Sequence, residues 1–416
     1  MHGATDITRQ SRWPSIVPLI LAYALLPLWT LAERLGEIPP TSPDAVWAVL
    51  AGAGLLTALH GSRRATPSRG RFLFRLVLVI LLAVTIIRYM PGWSLFLTSV
   101  VPYLEEASPL VYLLFAVLWA FSIGLPDRAD FQRFGALLGT LCMADLAFEA
   151  FLFRAVPVIR LIGHADVLAG LLLISLCAGL RPGPNQGGPE EPDQGRPWWR
   201  ALTMLGIFAC LSRTGLFGAA WVVLCFGRGG LIRRMLFAIL AMLLLAGTFY
   251  LPVYDPTAVR FTNYWLWSQG TSTFVNTPSL LLTGLPVNQA LPFQFNANMG
   301  VIWEAATGTS AIFGAYMNQI PAFWLRLTLG WGLMLPIALL CALFAGLLTR
   351  TTRLGAGLVT ALFAQGMITP LLYDPPTGVC IGLAMVLAFR LPKATTAVDA
   401  PADTPAPDPV DEWNLR

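Results

Sequence analysis

The stretch "IFACLSRTGLFGAAWVVLCF", residues 207–226, decides the fold, because Arg213 is the one charged side chain in an otherwise apolar run. Even low estimates put a charged arginine at the centre of a membrane-spanning helix at about 2.5–3.5 kcal/mol. The flanking segments "RPWWR" (196–200) and "GRGGLIRR" (227–234) are both basic, and basic flanks favour the cytoplasmic side of a membrane. A single helix would place these two flanks on opposite sides.

We therefore predict two short helices that meet at Ser212-Arg213-Thr214. Each would have about 14 residues and a length of roughly 21 Å. Because that is short for a lipid-facing span, we expect this hairpin to be buried in a helical bundle, with Arg213 at its outer apex.

The composition of the whole chain is typical of a membrane protein that crosses the bilayer many times. Of its 416 residues, 56% are hydrophobic and only 12% are charged, with a mean hydropathy of +0.67, whereas a soluble domain carries about 25% charged residues. The net charge is +5, and almost all of the positive charge comes from arginine. Many of these arginines flank apolar runs, which indicates that they set the orientation in the membrane rather than bind nucleic acid. The six cysteines lie in apolar runs without metal-type spacing, and we interpret them as small core residues.

Apolar runs predict an all-α fold of about twelve transmembrane helices. They lie near 15–34, 44–59, 72–90, 108–125, 134–153, 165–180, 199–212, 213–227, 234–251, 323–348, 354–373 and 376–391. The arginine-rich connectors fall on one side if both termini are cytoplasmic. Residues 1–391 then form one membrane-embedded domain, and the Pro/Ala/Asp-rich residues 392–416 form a disordered cytoplasmic tail.

One large periplasmic loop, residues 252–322, lies between the ninth and tenth predicted spans. It is rich in Asn, Gln, Thr and aromatic residues but poor in charge. Aromatic rings stack on the apolar faces of sugars, while amides donate and accept hydrogen bonds. The alternative is an aromatic belt at the membrane interface. The candidate sugar-binding residues of this loop are Asn263, Tyr264, Trp265, Glu304, Tyr316, Asn318 and Gln319.

Three other basic residues accompany Arg213 on the predicted outer side. Arg260 lies at the start of the large loop, where Asp255 is an alternative partner for it. Arg160 and His164 occupy a short external connector. Arg213 itself has a structural alternative, in which it pairs with a carboxylate or caps helix-end carbonyls. A guanidinium is also the side chain that binds phosphate oxygens in a fork, so these residues are candidates for an anionic substrate.

Other charged residues within apolar runs have simpler explanations. Asp145 and Glu149 are four residues apart and share a helix face. We expect a buried network with an arginine such as Arg75 or Arg88, and a proton relay is the alternative. Arg326 is expected to extend outward to the interface. The chain has no phosphate-binding glycine loop, no HExxH and no Cys/His cluster, so we expect no metal and no cofactor.

These features together resemble the bacterial O-antigen polymerase and ligase superfamily. The segment "LSRTG" resembles the family's Ser-Arg turn between two short apolar helices, which includes Ser212 and Arg213. The segment "GHADVLAGLLL" resembles its Gly-x-x-Asn-x-x-Ala signature, with Asp166 in place of the usual Asn. Arg260 resembles the arginine that opens the large loop. The resemblance includes sequence motifs over residues 150–350, and elsewhere it is limited to the arrangement of the spans.

The resemblance implies an enzyme of the bacterial inner membrane whose active face is periplasmic. Its donor would be an oligosaccharide on undecaprenyl diphosphate. Arg213 and Arg260, with His164, would be catalytic, while Arg160, Ser212 and Asp166 would bind substrate. Flippase and chain-length or export proteins of the same pathway would be its partners, together with the lipid bilayer. Ligases of the family carry a His before the tenth span, and this chain has none there.

The sequence therefore favours a metal-independent polymerase of exopolysaccharide, capsule or O-antigen repeat units. An O-antigen ligase that transfers glycan to the lipid A core is the alternative. A transporter or flippase for lipid-linked glycans and an envelope scaffold are further alternatives. His164, Glu304 and Asp255 are all candidates for the general base.

Overall fold

The chain is all-helical over the residues that its computed structural model describes. These are residues 13–34, 36, 52, 101–153, 159, 161, 165–180, 197–227, 230–250, 258–307, 309–350 and 353–390. Within these ranges the one extended pairing is an isolated antiparallel bridge between Leu291 and Ala315. The predicted spans 44–59 and 72–90, and the predicted tail 392–416, lie outside the described residues.

Residues 13–34 form one continuous helical segment, in which a π-helical turn, Leu21–Leu25, separates two α-helices. The α-helices are α1 (Trp13–Ile20), α2 (Leu26–Arg34), α3 (Val101–Ser122), α4 (Arg128–Phe153), α5 (Ala165–Ala178), α6 (Pro197–Cys210), α7 (Arg213–Phe226), α8 (Leu231–Gly247), α9 (Ala258–Asn276), α10 (Leu280–Thr283), α11 (Ala297–Thr307), α12 (Phe323–Trp331), α13 (Met334–Arg350), α14 (Arg353–Gly366) and α15 (Pro375–Arg390). Short 3₁₀ turns cover Ala311–Phe313, Met317–Gln319 and Leu371–Tyr373.

Two stretches of the described chain, Pro14–Glu33 and Arg128–Phe151, are long and apolar enough to cross a bilayer. Three shorter apolar helices, over Ala165–Ala178, Arg213–Phe226 and Pro375–Phe389, do not reach that length. The helical class is therefore confirmed, whereas the arrangement in twelve spans stays a prediction.

Helix α5 is the centre of the bundle. All of its residues except Asp166 are buried. An apolar helix without a polar face is expected in the interior of a bundle, where neighbours cover every side. Helices α4, α6, α7, α14 and α15 all pack against it.

The predicted hairpin is confirmed as two helices of 14 residues each, α6 and α7. Along α5, Gly206 approaches Leu172 while Gly215 approaches Ala169 and Gly218 approaches Leu173. Helix α6 therefore runs antiparallel to α5 and α7 runs parallel to it, so the chain reverses at Leu211 and Ser212. Leu211 has a φ of +51°, a left-handed conformation that ends the first helix at some cost for a side chain with a Cβ.

The expectation that the hairpin is buried is right for one face only. Phe217 and Trp221 of α7 are 43% and 47% exposed, and Leu205 of α6 is 44% exposed. The burial prediction rested on helix length. The described neighbours pack against the other sides of the two helices: α5, α8 and α14 against α7, and α4 and α5 against α6.

Glycines bring α4 and α6 into close contact. A Cβ on Gly206 would lie 2.4 Å from the Cα of Gly139, and a Cβ on Gly139 would lie 2.3 Å from the carbonyl oxygen of Leu202. Small residues at such positions let helix backbones approach closely. One turn further along, the Sγ atoms of Cys142 and Cys210 are 3.9 Å apart.

Four of the six cysteines are buried, as expected of small core residues. Cys225 and Cys341 are exposed, so the prediction that all six are core residues is wrong for these two. Both lie on helix faces that none of the described helices covers.

The predicted span 323–348 is not one helix. Gly332, with a φ of +74°, separates α12 from α13, and a Cβ there would lie 2.7 Å from the carbonyl oxygen of Leu281. Leu333 N–H donates to Leu281 O, and Leu285 N–H donates to Leu329 O, each at 2.6 Å. The helix breaks because the segment around α10 inserts its backbone at this point. Similarly, the predicted span 354–373 ends as an α-helix at Gly366.

The bundle has two chemically different ends. We call the end that carries Asp166 and Ser212 the apex end, and the opposite end, where α6 begins and α7 finishes, the base end. The arginines whose side chains are described divide unequally between them. Six lie at the base end, namely Arg128, Arg133, Arg200, Arg233, Arg234 and Arg353, and two lie at the apex end, Arg213 and Arg326.

The segment between α8 and α12 has a small core of its own. Trp303 of α11 is fully buried and meets Trp265 of α9 edge-on at 5.8 Å between ring centroids. Phe293 packs on the Trp265 indole, and Phe295 packs on both indoles. The predicted large loop is therefore a packed helical segment, at least from residue 258 onward.

We expect Gly206→Val to disrupt the α4–α6 contact, because its side chain would meet the backbone of Gly139. Overpacking of this kind costs about 1–3 kcal/mol and should lower the thermal unfolding midpoint of the purified protein. Gly247→Ala is the matched control, since nothing lies within 4 Å of a Cβ there. Equal unfolding midpoints for the two variants would contradict the proposed close contact.

Candidate functional site

The apex turn begins with Ser212, which is fully buried and caps α7. Its side chain accepts a hydrogen bond from Gly215 N–H at 3.0 Å, as N-terminal caps do. The backbone of Ser212 is extended (φ −68°, ψ 124°), so the helix cannot continue through it. The Ser-Arg turn that the sequence predicted is thus a helix N-terminus, with Arg213 as its first helical residue.

Asp166 holds this turn from the side of α5. Its Oδ1 accepts hydrogen bonds from Ser212 Oγ at 2.5 Å and from Thr214 Oγ1 at 3.3 Å. Its backbone oxygen accepts a bond from Gln365 Nε2 of α14 at 3.5 Å. The structure therefore brings two of the predicted substrate-binding residues, Asp166 and Ser212, into direct contact.

Arg213 points from the same turn toward the end of α8. Its Nε donates to Thr248 Oγ1 and one Nη donates to Thr248 O, both at 3.1 Å. The guanidinium carbon lies 4.1 Å from the centroid of the Phe249 ring, within the range of a cation–π contact. Arg213 remains half-buried.

These contacts give Arg213 the role of a cap for the last turn of α8. A positive charge at that position also offsets the negative end of the helix dipole. The sequence allowed a structural role in which Arg213 caps helix-end carbonyls, and the bond to Thr248 O shows that it has this role. The bonds to Thr248 also fix the orientation of the guanidinium, which is what a pre-organised anion site requires. Thr248 was missed from the sequence, because its partner is 35 residues away.

The other predicted basic residues of the site are only partly described. Arg160 and His164 lie outside the described residues, as does Asp255. Arg260 lies in the first turn of α9, but its side chain is also outside the description. Their assignment to the site stays a prediction.

Helix α9 carries the predicted loop residues near its beginning. Tyr264 is 77% exposed, and Asn263 is half-buried. Trp265 is instead part of the aromatic core around Trp303. One open groove of about 510 Å³ runs along α9 and is lined by Tyr264, Trp267, Ser268, Thr271, Ser272, Val275 and Asn276. Apart from Val275, these are hydroxyl, amide and aromatic side chains, and none of them is charged.

The remaining loop candidates lie on α11 and on the turn at residues 316–319. Glu304 is exposed on α11. Gln319 accepts a bond from Tyr316 N–H through Oε1 and donates from Nε2 to Thr309 Oγ1, both at 2.9 Å. The backbone oxygen of Asn318 accepts a bond from Arg326 at 3.4 Å. Gln319 thus shapes the 316–319 turn, whereas the Tyr316 side chain is 38% exposed.

A second arginine centre at the apex end was not predicted. Arg326 is 6% exposed, so the expectation that it extends outward is wrong. It binds Oε1 of Glu106 with Nε at 2.8 Å and with an Nη at 2.5 Å. Its guanidinium carbon lies 3.9 Å from the centroid of the Tyr373 ring. A buried arginine needs a carboxylate partner, but the partner is 220 residues away and no spacing rule could identify it.

The expectation that Asp145 and Glu149 are buried is confirmed, at 5% and 7% exposure. The proposed partners Arg75 and Arg88 lie outside the described residues. Among the residues that the structure describes, no group of three or more His, Cys, Asp or Glu side chains could hold a metal ion.

We expect Arg326→Met alone to destabilise the protein by about 3–5 kcal/mol, because it leaves the buried Glu106 carboxylate without its cation. The double variant Glu106→Leu/Arg326→Met should recover most of that loss, since it removes both charges from the interior. Unfolding midpoints of the single and double variants measure the difference.

Arg133→Ala is the matched control for this cycle. Arg133 lies 3.7 Å from Asp130, and its side chain is 59% exposed; exposed pairs contribute about 0–1 kcal/mol. An Arg326→Met effect as small as that of the control would show that the buried pair does not stabilise the fold.

Comparison of the chain with protein-family models, curated proteins and solved structures gives no match. The function must therefore be inferred from the residues and geometry of the chain itself.

Proposed function

We propose that this protein is a membrane-embedded glycosyltransferase that polymerises oligosaccharide repeat units carried on undecaprenyl diphosphate. The observation that carries the proposal is the apex turn. It places an oriented arginine at one end of an apolar helical bundle, where Asp166 holds one side of the turn and Thr248 holds the other.

The surface of the bundle supports a membrane location. Large apolar side chains on several helices are exposed, including Phe121, Phe151, Ile232 and Leu236. Apolar patches of this kind are typical of contact with lipid or another protein. The concentration of arginine at the base end fits a cytoplasmic base and a periplasmic apex. In this orientation the apex turn faces the periplasm, as the twelve-span arrangement predicts.

The chemistry of the reaction assigns a role to Arg213. When a sugar leaves its diphosphate carrier, negative charge develops on the departing oxygen. A fixed cation in a site of low polarity stabilises such charge more effectively than a mobile one in water. Thr248 and Phe249 hold the guanidinium in place before substrate arrives. Arg260, in the first turn of α9, is proposed as the second cation for the same diphosphate.

The uncharged groove along α9 is proposed to hold the acceptor glycan. Its serine and threonine hydroxyls and the exposed Tyr264 ring match the hydroxyl groups and apolar faces of sugars. Glu304, on α11, and Tyr316, in the turn at residues 316–319, are proposed to contribute from the same loop segment. A groove that binds phosphate would carry positive charge. Because the groove along α9 is uncharged, we expect the acceptor glycan and the donor diphosphate to bind at different places.

We expect Arg213→Ala to abolish long polymer in a host from which the native gene has been deleted, because the diphosphate loses its cation. Removing one such contact typically lowers the rate by about 10²–10³. Arg213→Lys keeps the charge but cannot bond Thr248 through two nitrogens, and is expected to restore only short chains. Surface glycan resolved on gels, at matched expression, measures chain length.

Arg133→Lys is the control for this experiment, since Arg133 is an exposed arginine at the base end. The unfolding midpoint of Arg213→Ala separates the two roles of this residue. A large fall in midpoint with normal polymer per folded molecule would assign Arg213 to capping α8 alone.

Repeats that remain on the carrier at the periplasmic face and never reach lipid A would favour the ligase. Repeats that stay on the cytoplasmic face would favour the transporter.

Thr248→Val is expected to lower polymer length to a smaller extent than Arg213→Ala. The variant removes the hydroxyl that binds Arg213 Nε but keeps the backbone oxygen that binds the other nitrogen. Because the guanidinium loses orientation and not charge, the expected loss in rate is about tenfold, near the cost of one hydrogen bond to a charged group. Polymer of normal length from this variant would contradict the positioning role of Thr248.

A further inference from the structure

The proposed reaction requires a group that takes the proton of the acceptor hydroxyl, and four of the described carboxylates of the bundle are buried or already bound. Glu106 is 2% exposed and bound by Arg326. Asp145 and Glu149 are buried. Asp374 hydrogen-bonds the Thr377 hydroxyl at 2.6 Å, at the start of α15. Asp166 is the described carboxylate that directly contacts the apex turn.

The carboxylate of Asp166 is held by one oxygen. Ser212 and Thr214 both donate to Oδ1, so the hydroxyls fix the plane of the group and do not occupy Oδ2. The residue is half-buried in the first turn of α5. The carboxylate bonds the apex turn at Ser212, next to Arg213, whose guanidinium bonds Thr248 at the end of α8.

We propose that Asp166 is the general base of the transfer, with Oδ2 as the proton acceptor; this assignment rests on the proposed function. The acceptor hydroxyl attacks the anomeric carbon of the donor and forms the new C–O bond. The bond between that carbon and the diphosphate oxygen breaks, and the diphosphate leaves with the electron pair toward Arg213. The hydroxyl proton passes to Asp166 Oδ2 and then to solvent.

Asp166→Asn tests this proposal, because an amide oxygen can still accept from Ser212 and Thr214 but cannot take a proton at the other position. We expect kcat to fall by about 10²–10⁴, the usual contribution of a general base, with KM for the donor changed less than threefold. The assay uses purified protein in nanodiscs and the lipid-linked oligosaccharide extracted from the gene-deletion strain. Elongation is followed on gels.

Glu33→Gln is the matched control, since it neutralises an apex-end carboxylate that bonds the Trp29 indole at 2.8 Å. Asp166→Ala in the presence of formate is the second variant, in which a small carboxylate can replace the missing base. Recovery of at least tenfold with formate would support the proposal even if the amide variant folds poorly.

Three outcomes overturn the inference in distinguishable ways. If wild-type protein elongates the extract and Asp166→Asn does so within threefold, Asp166 is not the base but the proposed function stands. If Glu304→Gln shows the loss in kcat instead, the base lies on α11. If wild-type protein fails to elongate the extract at all, the proposed function fails and the base assignment fails with it.

Discussion

The contact between Asp166 and the Ser212 hydroxyl is the interaction on which the apex end depends. It joins the start of the most buried helix, α5, to the turn between α6 and α7. A chain reversal inside an apolar bundle leaves backbone N–H groups without partners unless side chains supply them. Ser212 satisfies one such group and is itself held by Asp166. The turn is therefore fixed by a short polar network within apolar surroundings.

This network continues into the second arginine centre through the turn after α14. Gln365 of α14 bonds the backbone of Asp166, and Thr369 bonds the backbone of Gln365. Thr369 O then accepts from Phe323 N–H, three residues before Arg326. The buried Glu106–Arg326 pair closes the chain of contacts on α3. Hydrogen bonds therefore link the start of α5, which contacts the apex turn, to the start of α12, which carries Arg326.

The two apex-end arginines illustrate different uses of the same side chain. Arg326 is enclosed, bonded twice to a carboxylate and stacked on Tyr373, so its charge is neutralised within the protein. Arg213 is half-buried and bonded to a hydroxyl and a carbonyl, neither of which carries a formal charge. These bonds fix the orientation of the guanidinium at the apex turn. That fixed orientation is the physical reason for proposing anion binding at Arg213, whereas the enclosed Glu106–Arg326 pair supports the fold.

The sequence by itself determined the helical class, most helix positions and the hairpin around Arg213, because hydrophobic runs and basic flanks are local features. A resemblance in short motifs also predicted Asp166 and Ser212 as substrate-binding residues, and the structure brings these two side chains into contact. Only the tertiary structure decided which polar groups meet. The Glu106–Arg326 pair, the Thr248 contact to Arg213 and the break at Gly332 all join segments that are distant along the chain. Periodicity and spacing carry no information about such contacts, since they depend on how whole helices pack.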